Sequence, residues 1–264
     1  MRVEHLTTLD KGELKLYRTL RQPVEHFEQG FFVAEGEKVV RRLLSSTLET
    51  LSILCTPDWL TALAPEIEER DISVYVGTKD LLGTIVGYNL HQGIMAIGRV
   101  PVSPPLASYL LTKQKILLVA LDGLVNAENV GVVVRNCAAF GVDGILVGET
   151  SSSPYLRRAV RNSMGTVFKL PIFHRDNLAS TLQEMKAASI QSIAAHPHAS
   201  STLGRVNLND KLCIVFGSEG SGIRTEILKA CDEQVAIPMK QQIDSINVAS
   251  ASAVFLYEIS RSKV

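Results

Sequence analysis

The sequence predicts an α/β protein in two parts, a small α/β domain over residues 1–100 and a larger parallel-sheet domain over residues 115–264, joined by a linker at 101–114. Three observations carry this. Short β-rich runs alternate with segments of helical period along the whole chain. The stretch RVPVSPP, Arg99 to Pro105, breaks both periodicities, because its three prolines fix φ and withhold backbone donors. A length of 264 residues with 46% hydrophobic content is enough to bury two cores.

Between Leu14 and Val100 the strand-like runs are FFVAEG, LSILC, ISVYV and GIMAIGRV, with helices expected over Glu37 to Leu44 and Thr61 to Glu69. Leu106 to Gln114 leads into the second domain. From Lys115 the runs KILLVAL, GILVG, VFKLPIF, QSIAAH, LCIVFG and QVAIP recur with helix-capable segments between them, the pattern of a parallel sheet covered on both faces. Ser153-Pro154 reads as an N-cap followed by proline at the first helical position, and Phe140-Gly141 as a helix end with a glycine stop.

Charge and cysteine content narrow the function classes. Lys plus Arg and Asp plus Glu both number 27, so any contact with nucleic acid has to be a local patch rather than a whole-protein field. Cys55, Cys137, Cys213 and Cys231 form no C-x-x-C pair and read as reduced, buried thiols; no metal site is expected. The N-terminal residues have no apolar signal-type core, and no run approaches the length of a membrane helix, so a cytoplasmic location is expected.

In open α/β sheets ligands bind at the carboxyl ends of strands, which directs attention to three loops. The first, LDGLVNAENVGVVVRNCAAFGV, offers Asn129 as a helix cap and Gly131 in the first turn, and places Arg135 in a helix that is apolar nearly all round. A buried Arg135 needs a partner, either a core carboxylate or a substrate phosphate or hydroxyl. The second, FGSEGSGI, sets Gly217, Gly220 and Gly222 around Glu219, and suits a small cofactor approaching the backbone or is simply a turn. It is neither G-x-G-x-x-G nor a phosphate-binding G-K-[ST] loop. The third, AIPMKQQIDSINVASASAVFLYEISR, opens a long apolar helix with Ser245 or Asn247 as N-cap.

Taken together and in order, these segments resemble the three signature motifs of the SpoU/TrmH class of the SPOUT methyltransferase superfamily. The first is similar to N-x-G, an arginine and a following F-G; the second to G-x-E-G-x-G; the third to I-P-M, S-L-N-V and an alanine-rich helix ending L-Y-E. SSSPYLRRAVRNSMGTVFKLPI and HQGIMAI also resemble the class, so that the likeness spans Leu14 to Arg261. It departs at Asn126-Ala127-Glu128, where D-P is usual, at Gln241, where glycine is usual, and at Ile246, where leucine is common.

The resemblance implies a trefoil-knotted catalytic domain that binds S-adenosylmethionine; periodicity cannot show a knot, and the general rule of unknotted connections is against one. It implies cofactor contacts with the backbone of Gly217, Ile237 and Ile246, with Met239, Gly220 and Gly222 close by and the loop at Ala195 and His196 adding to the pocket; His196 is given no chemistry. It implies 2′-O-methylation of ribose in ribosomal or transfer RNA, with Arg135 engaging the target nucleotide's phosphate and hydroxyl while Asn129, Glu219, Ser245 and Asn247 orient the nucleotide and the cofactor. The first domain resembles an RNA-binding module similar to certain ribosomal proteins. Arg41, Arg42, Arg157, Arg158 and Arg161 are candidate phosphate contacts, with a solvated helix face the alternative. A homodimer through the catalytic domain is implied. Two rivals are a non-catalytic RNA-binding protein that keeps the fold, and a dehydrogenase, disfavoured by the missing dinucleotide fingerprint.

Overall fold

The computed structural model describes residues 1–86, 92–240 and 244–262; Gln241 lies outside them. Two compact units form, Met1–Val102 with Tyr155–Phe168, and Ser103–Pro154 with Lys169–Val264. The first stretch of chain runs β1 (Arg2–His5), α1 (Lys15–Arg18), α2 (Pro23–Glu28), β2 (Phe31–Glu35), α3 (Glu37–Leu44), β3 (Thr50–Cys55), α4 (Pro57–Ile67), β4 (Ser73–Val76), α5 (Lys79–Val86) and β5 (Ile94–Arg99). The remainder runs α6 (Leu106–Leu111), β6 (Ile116–Asp122), α7 (Ala127–Ala139), β7 (Gly144–Val147), α8 (Arg157–Asn162), β8 (Ile172–His174), α9 (Leu178–Ala187), β9 (Gln191–Ala195), β10 (Ser201–Thr202), β11 (Lys211–Gly217), α10 (Thr225–Ala230), β12 (Glu233–Ala236) and α11 (Val248–Ser262). No helix of the described residues is long and apolar enough to cross a membrane.

In the first unit the sheet order is β1-β4-β3-β5-β2, with β1, β4 and β3 parallel and β5 antiparallel to both β3 and β2. The four expected strands are present. β1 is an addition, because RVEH is short and mostly exposed and so lacks the buried alternation of a strand. α4 begins at Pro57, earlier than Thr61, since proline at the first helical position already holds helical φ. One face of the sheet packs Val33, Leu54, Tyr75, Met95 and Ile97 against Leu14, Tyr17 and Leu82. Opposite Phe32, Gly98 leaves room for the ring: a Cβ there would sit 2.3 Å from Phe32 Cζ. Phe32 then stacks on Phe168 and tilts against Tyr155, at centroid distances of 5.2 and 5.5 Å.

That packing corrects the expected domain division, which assigned Arg157, Arg158 and Arg161 to the catalytic part. The segment 155–168, with α8, belongs to the first unit. Its reason is chemical as well as apolar. Glu35 is buried, and Arg157 supplies the counter-charge, donating from Nε at 2.9 Å with Nη2 at 2.7 Å. Ser153-Pro154 caps no helix; α8 starts after Leu156.

The second unit is a seven-stranded sheet, ordered β10-β12-β9-β11-β6-β7-β8, with every pairing parallel. All seven residues of β6 are buried, the continuous apolar run of a strand covered on both faces. Leu118 and Ala120 join Leu146, Cys213 and Val215 under Leu178, Leu182 and Met185 of α9 and Ile227 of α10. By the two-residue period, Leu117, Val119 and Leu121 face the other way. On that side α7 and α11 pack together: Asn136 Nδ2 donates to Ala249 O at 2.8 Å, and Phe140 meets Tyr257 edge-on. The 101–114 segment, expected as a linker, contains α6, whose Leu106 is part of this unit's core. Phe140 does end α7, and Gly141 follows with φ of 72°.

Candidate functional site

The site is built at the carboxyl ends of neighbouring strands. β6 and β11 pair in register down to Asp122 opposite Gly217, and β9 and β12 lie beyond β11, so the loops leaving these strands emerge side by side. After β11 the chain makes a tight hairpin. Ser218 N donates to Gly222 O at 3.0 Å and Gly222 N to Ser218 O at 3.1 Å, closing Glu219, Gly220 and Ser221 into a loop. Gly222 has φ of 69°, and a Cβ on Gly217 would lie 2.4 Å from the carbonyl carbon of Gly222, so both glycines are demanded by the turn. Gly220 is different: a Cβ there would meet nothing within 4 Å.

Against this hairpin lies a cavity of about 330 Å³. Every residue expected to hold the cofactor lines it: Gly217, Gly220 and Gly222 from one loop, Ile237, Met239 and Ile246 from another, and Ala195 from the third. Phe216 and Phe255, buried and edge-to-face at 5.8 Å, also line it. Glu219, Asp244 and Ser245 add polar groups, as do His196 and His198. Aliphatic walls with open backbone suit a flat heterocycle, and two carboxylates suit a cation.

Three of the residues expected to orient the substrate, Asn129, Glu219 and Asn247, join across loops. Asn129 Nδ2 donates to Glu219 Oε1 in a close contact, and Asn247 Nδ2 approaches Asn129 Oδ1 at 3.4 Å. Asn129 is not the helix cap expected of it. Asn126 caps α7, its Oδ1 accepting from Glu128 N at 2.9 Å and Asn129 N at 3.4 Å, which frees the Asn129 amide. The departure at Asn126-Ala127-Glu128 thus keeps a capping side chain. Of the two candidates for the cap of α11, Asn247 takes the position, accepting from Ala249 N at 2.8 Å.

Arg135 contradicts the expectation that its nearly all-apolar helix would bury it. It is exposed, and among the described residues it has neither an ion-pair nor a hydrogen-bond partner. It does not line the cavity. Six residues beyond Asn129, it sits about 9 Å further along α7 and about 120° around it, away from the face that meets α11.

Three residues of the site escaped sequence reading. Asp122, fully buried at the end of β6, accepts from Arg224 N at 2.8 Å and from Arg224 Nε at 2.7 Å. Glu149 lies 2.7 Å from the same guanidinium and accepts from Leu178 N at 3.0 Å with its other oxygen. Burial pushes the Glu149 carboxyl up, but its backbone hydrogen bonds and Arg224 outweigh this and hold it below the usual range. Arg224 follows the glycine hairpin directly, so this cluster ties the hairpin to the end of β6. The available signal was a lone acid closing the apolar run ILLVALD.

The arginines expected to meet phosphate are mostly engaged. Arg157 pairs with Glu35; Arg41 pairs with Glu37 and Glu66; Arg42 donates to Met164 O at 2.6 Å. Arg158 also has a partner. Arg161, its side chain 46% exposed, touches Glu35 only at 3.5 Å.

Comparison with known proteins gives the same family. The model of the SpoU rRNA Methylase family matches residues 116–257. An uncharacterised tRNA/rRNA methyltransferase of Mycobacterium tuberculosis is 30% identical over 248 residues, covering 92% of this chain and 85% of the relative. Among solved structures, an AdoMet-bound rRNA methyltransferase from Sinorhizobium meliloti superposes with a TM-score of 0.86 at 25% identity, over 99% of each chain. An RNA 2′-O ribose methyltransferase superposes with a TM-score of 0.79 at 25% identity, over 98% of this chain and 99% of that one. With a glycine hairpin, a shared cavity and two asparagines converging as the motifs require, the chain belongs to the SpoU rRNA methylase family.

Proposed function

We propose that this protein is an S-adenosylmethionine-dependent RNA methyltransferase that acts on a ribose 2′-hydroxyl of ribosomal or transfer RNA. The observation that carries the reading is convergence: loops far apart in sequence share one cavity, lined by every residue expected at the cofactor. The residues fit that cofactor. Ile237, Ile246 and Met239 offer an apolar wall, Gly220 leaves open space beside backbone, and Glu219 and Asp244 complement positive charge. Bound there, the cofactor supplies an electrophilic methyl group on a sulfonium. Asn129 and Asn247 hold the Glu219 carboxylate in place, and Ser245 lines the same opening. Positioning and electrostatics of this kind are the main resource for an in-line displacement on a weak nucleophile.

Arg135 anchors the target nucleotide through its phosphate and hydroxyl. An arginine side chain serves here as a fixed cation and not as a base. Its exposure and lack of a partner among the described residues support this role, because no protein carboxylate competes for it. The strand order, in which β11 lies between β6 and β9 although both precede it in the chain, supports a knotted path. Exposed Val254 and Tyr257 on α11 support pairing of two chains through the second unit.

The test is to incubate the protein with methyl-labelled S-adenosylmethionine and bulk RNA, digest to nucleosides, and separate the products. Label in 2′-O-methylnucleosides is expected. Label on a base removes the ribose assignment, and cofactor binding without transfer to any RNA leaves a non-catalytic RNA-binding protein.

A further inference from the structure

A second cavity, of about 420 Å³, lies wholly within the first unit, between the β2–α3 turn and the segment that carries α8. Nothing in the methyl-transfer site accounts for it. Its walls are chemically mixed in an ordered way. Val39, Ile94 and Met164 give it its apolar residues. At depth is Glu35, whose Oε2 is taken by Arg157, while among the described residues Oε1 has only Arg161 Nη1 at 3.5 Å. Gln92 accepts from Glu37 N at 2.7 Å through Oε1, and its amide N–H groups have no partner among the described residues. The cations are Arg161 and Lys38, the latter exposed and without an ion-pair or hydrogen-bond partner among the described residues.

One wall is held in a strained shape. Met164 has φ of 55°, a left-handed conformation unfavourable for a non-glycine residue. Its carbonyl is fixed by Arg42 Nη1 at 2.6 Å, so Arg42 serves to hold the wall. Met164 itself lines the cavity.

We infer that this cavity is a subsite for one nucleotide of the RNA, resting on the reading of the chain as an RNA methyltransferase. The charges divide the ligand. Glu35 excludes a phosphate from the depth and accepts from a sugar hydroxyl or a base amino group there, while Lys38 and Arg161 take the flanking phosphates. The apolar wall takes the base, and the volume falls within the roughly 300–1,000 Å³ usual for small-molecule sites. With the chain's net charge at zero, a local pair of available cations is the form that RNA attraction has to take.

The experiment is retention of bulk ribosomal and transfer RNA by the full-length protein over a salt series. Wild type is compared with the Lys38→Ala/Arg161→Ala double variant and with a charge-matched Lys79→Ala/Lys229→Ala control. The double variant should bind about tenfold more weakly at moderate salt, with the slope of log affinity against log salt reduced by about 2, one for each phosphate no longer neutralised. Its affinity for S-adenosylmethionine should match wild type, and its KM for RNA should rise with kcat kept at saturating RNA. An unchanged salt slope, or an equal loss in the control, overturns the subsite and leaves the methyltransferase reading standing. Failure of the wild type to retain RNA at any salt overturns both.

Discussion

Gly217 and Gly220 stand three residues apart in one loop, yet alanine should act on them in opposite ways. At Gly217 the added methyl would lie 2.4 Å from Gly222 C and 2.5 Å from both Gly222 O and Ile223 N, all backbone atoms. Relief requires the far side of the hairpin to move by about 1 Å, the shortfall from van der Waals contact. That stretches the two bonds at 3.0 and 3.1 Å which close the hairpin. Two weakened hydrogen bonds at about 1 kcal/mol each, with an overpacking cost of about 1–3 kcal/mol, give a loss of about 3–5 kcal/mol. For a chain of this size the melting temperature falls by roughly 10 °C. At Gly220 the methyl meets nothing within 4 Å, and φ there is not in the left-handed range, so stability is kept or slightly raised. The methyl occupies cavity space instead, and S-adenosylmethionine should bind about tenfold more weakly. Thermal melting and titration calorimetry on the two variants check both halves. A Gly217→Ala protein that melts like wild type, or a Gly220→Ala protein that binds the cofactor like wild type, refutes the reasoning.

Other expectations follow from single groups. Arg135→Ala should abolish transfer while cofactor affinity and melting temperature stay at wild-type values, since the side chain is exposed and outside the cavity; residual activity near wild type would make it an ordinary surface cation. Asp122→Asn strips the charge from a fully buried partner of Arg224 and should cost about 3–5 kcal/mol, read as a lowered urea midpoint. Acid should destabilise the fold in two windows. Burial lowers His26 and His174 from the ordinary 6.5, so the unfolded chain takes up those protons first, and stability declines as pH drops below that value. Glu149 and Asp232 are held below the ordinary 4.5 and 3.8, so their contribution is complete above those values and is lost as pH falls through the lowered ones. Glu149→Gln should shrink the loss in the lower window, and urea midpoints at a series of pH values measure it.

The strands of both units are legible in the sequence because continuous apolar runs such as ILLVAL admit few other folds, and Glu37–Leu44 is legible to the residue because its buried positions recur with helical period. The cofactor wall is legible only through resemblance: no local pattern in FGSEGSGI separates a ligand loop from a turn. Arg135 misleads because a helix apolar all round need not be covered all round; the face carrying Arg135 and Ala139 is open. The allocation of α8 is hidden for a related reason. Its arginines look like a surface cluster in sequence, and only the burial of Glu35, more than a hundred residues earlier, shows what Arg157 is for.

Register explains why stability and ligand binding meet at one place in the second unit. Asp122 pairs with Gly217 at the last step of the β6–β11 ladder, so the buried acid and the start of the glycine hairpin lie at the same level. The hairpin leaves Gly217, turns, and returns through Gly222 and Ile223 to Arg224, whose guanidinium closes on that acid and on Glu149. Both ends of the hairpin are thereby fixed to the strand whose loop also leads to Asn129, and Glu219 at its tip is fixed in turn by Asn129. A loop with three glycines would otherwise sample many conformations and lose much entropy on ordering around a ligand. Anchored at its base by a buried ion pair and at its tip by an amide, it meets the cofactor already shaped. The charge cluster therefore bears on the proposed binding from outside the cavity, by keeping the flexible residues that line it in one arrangement.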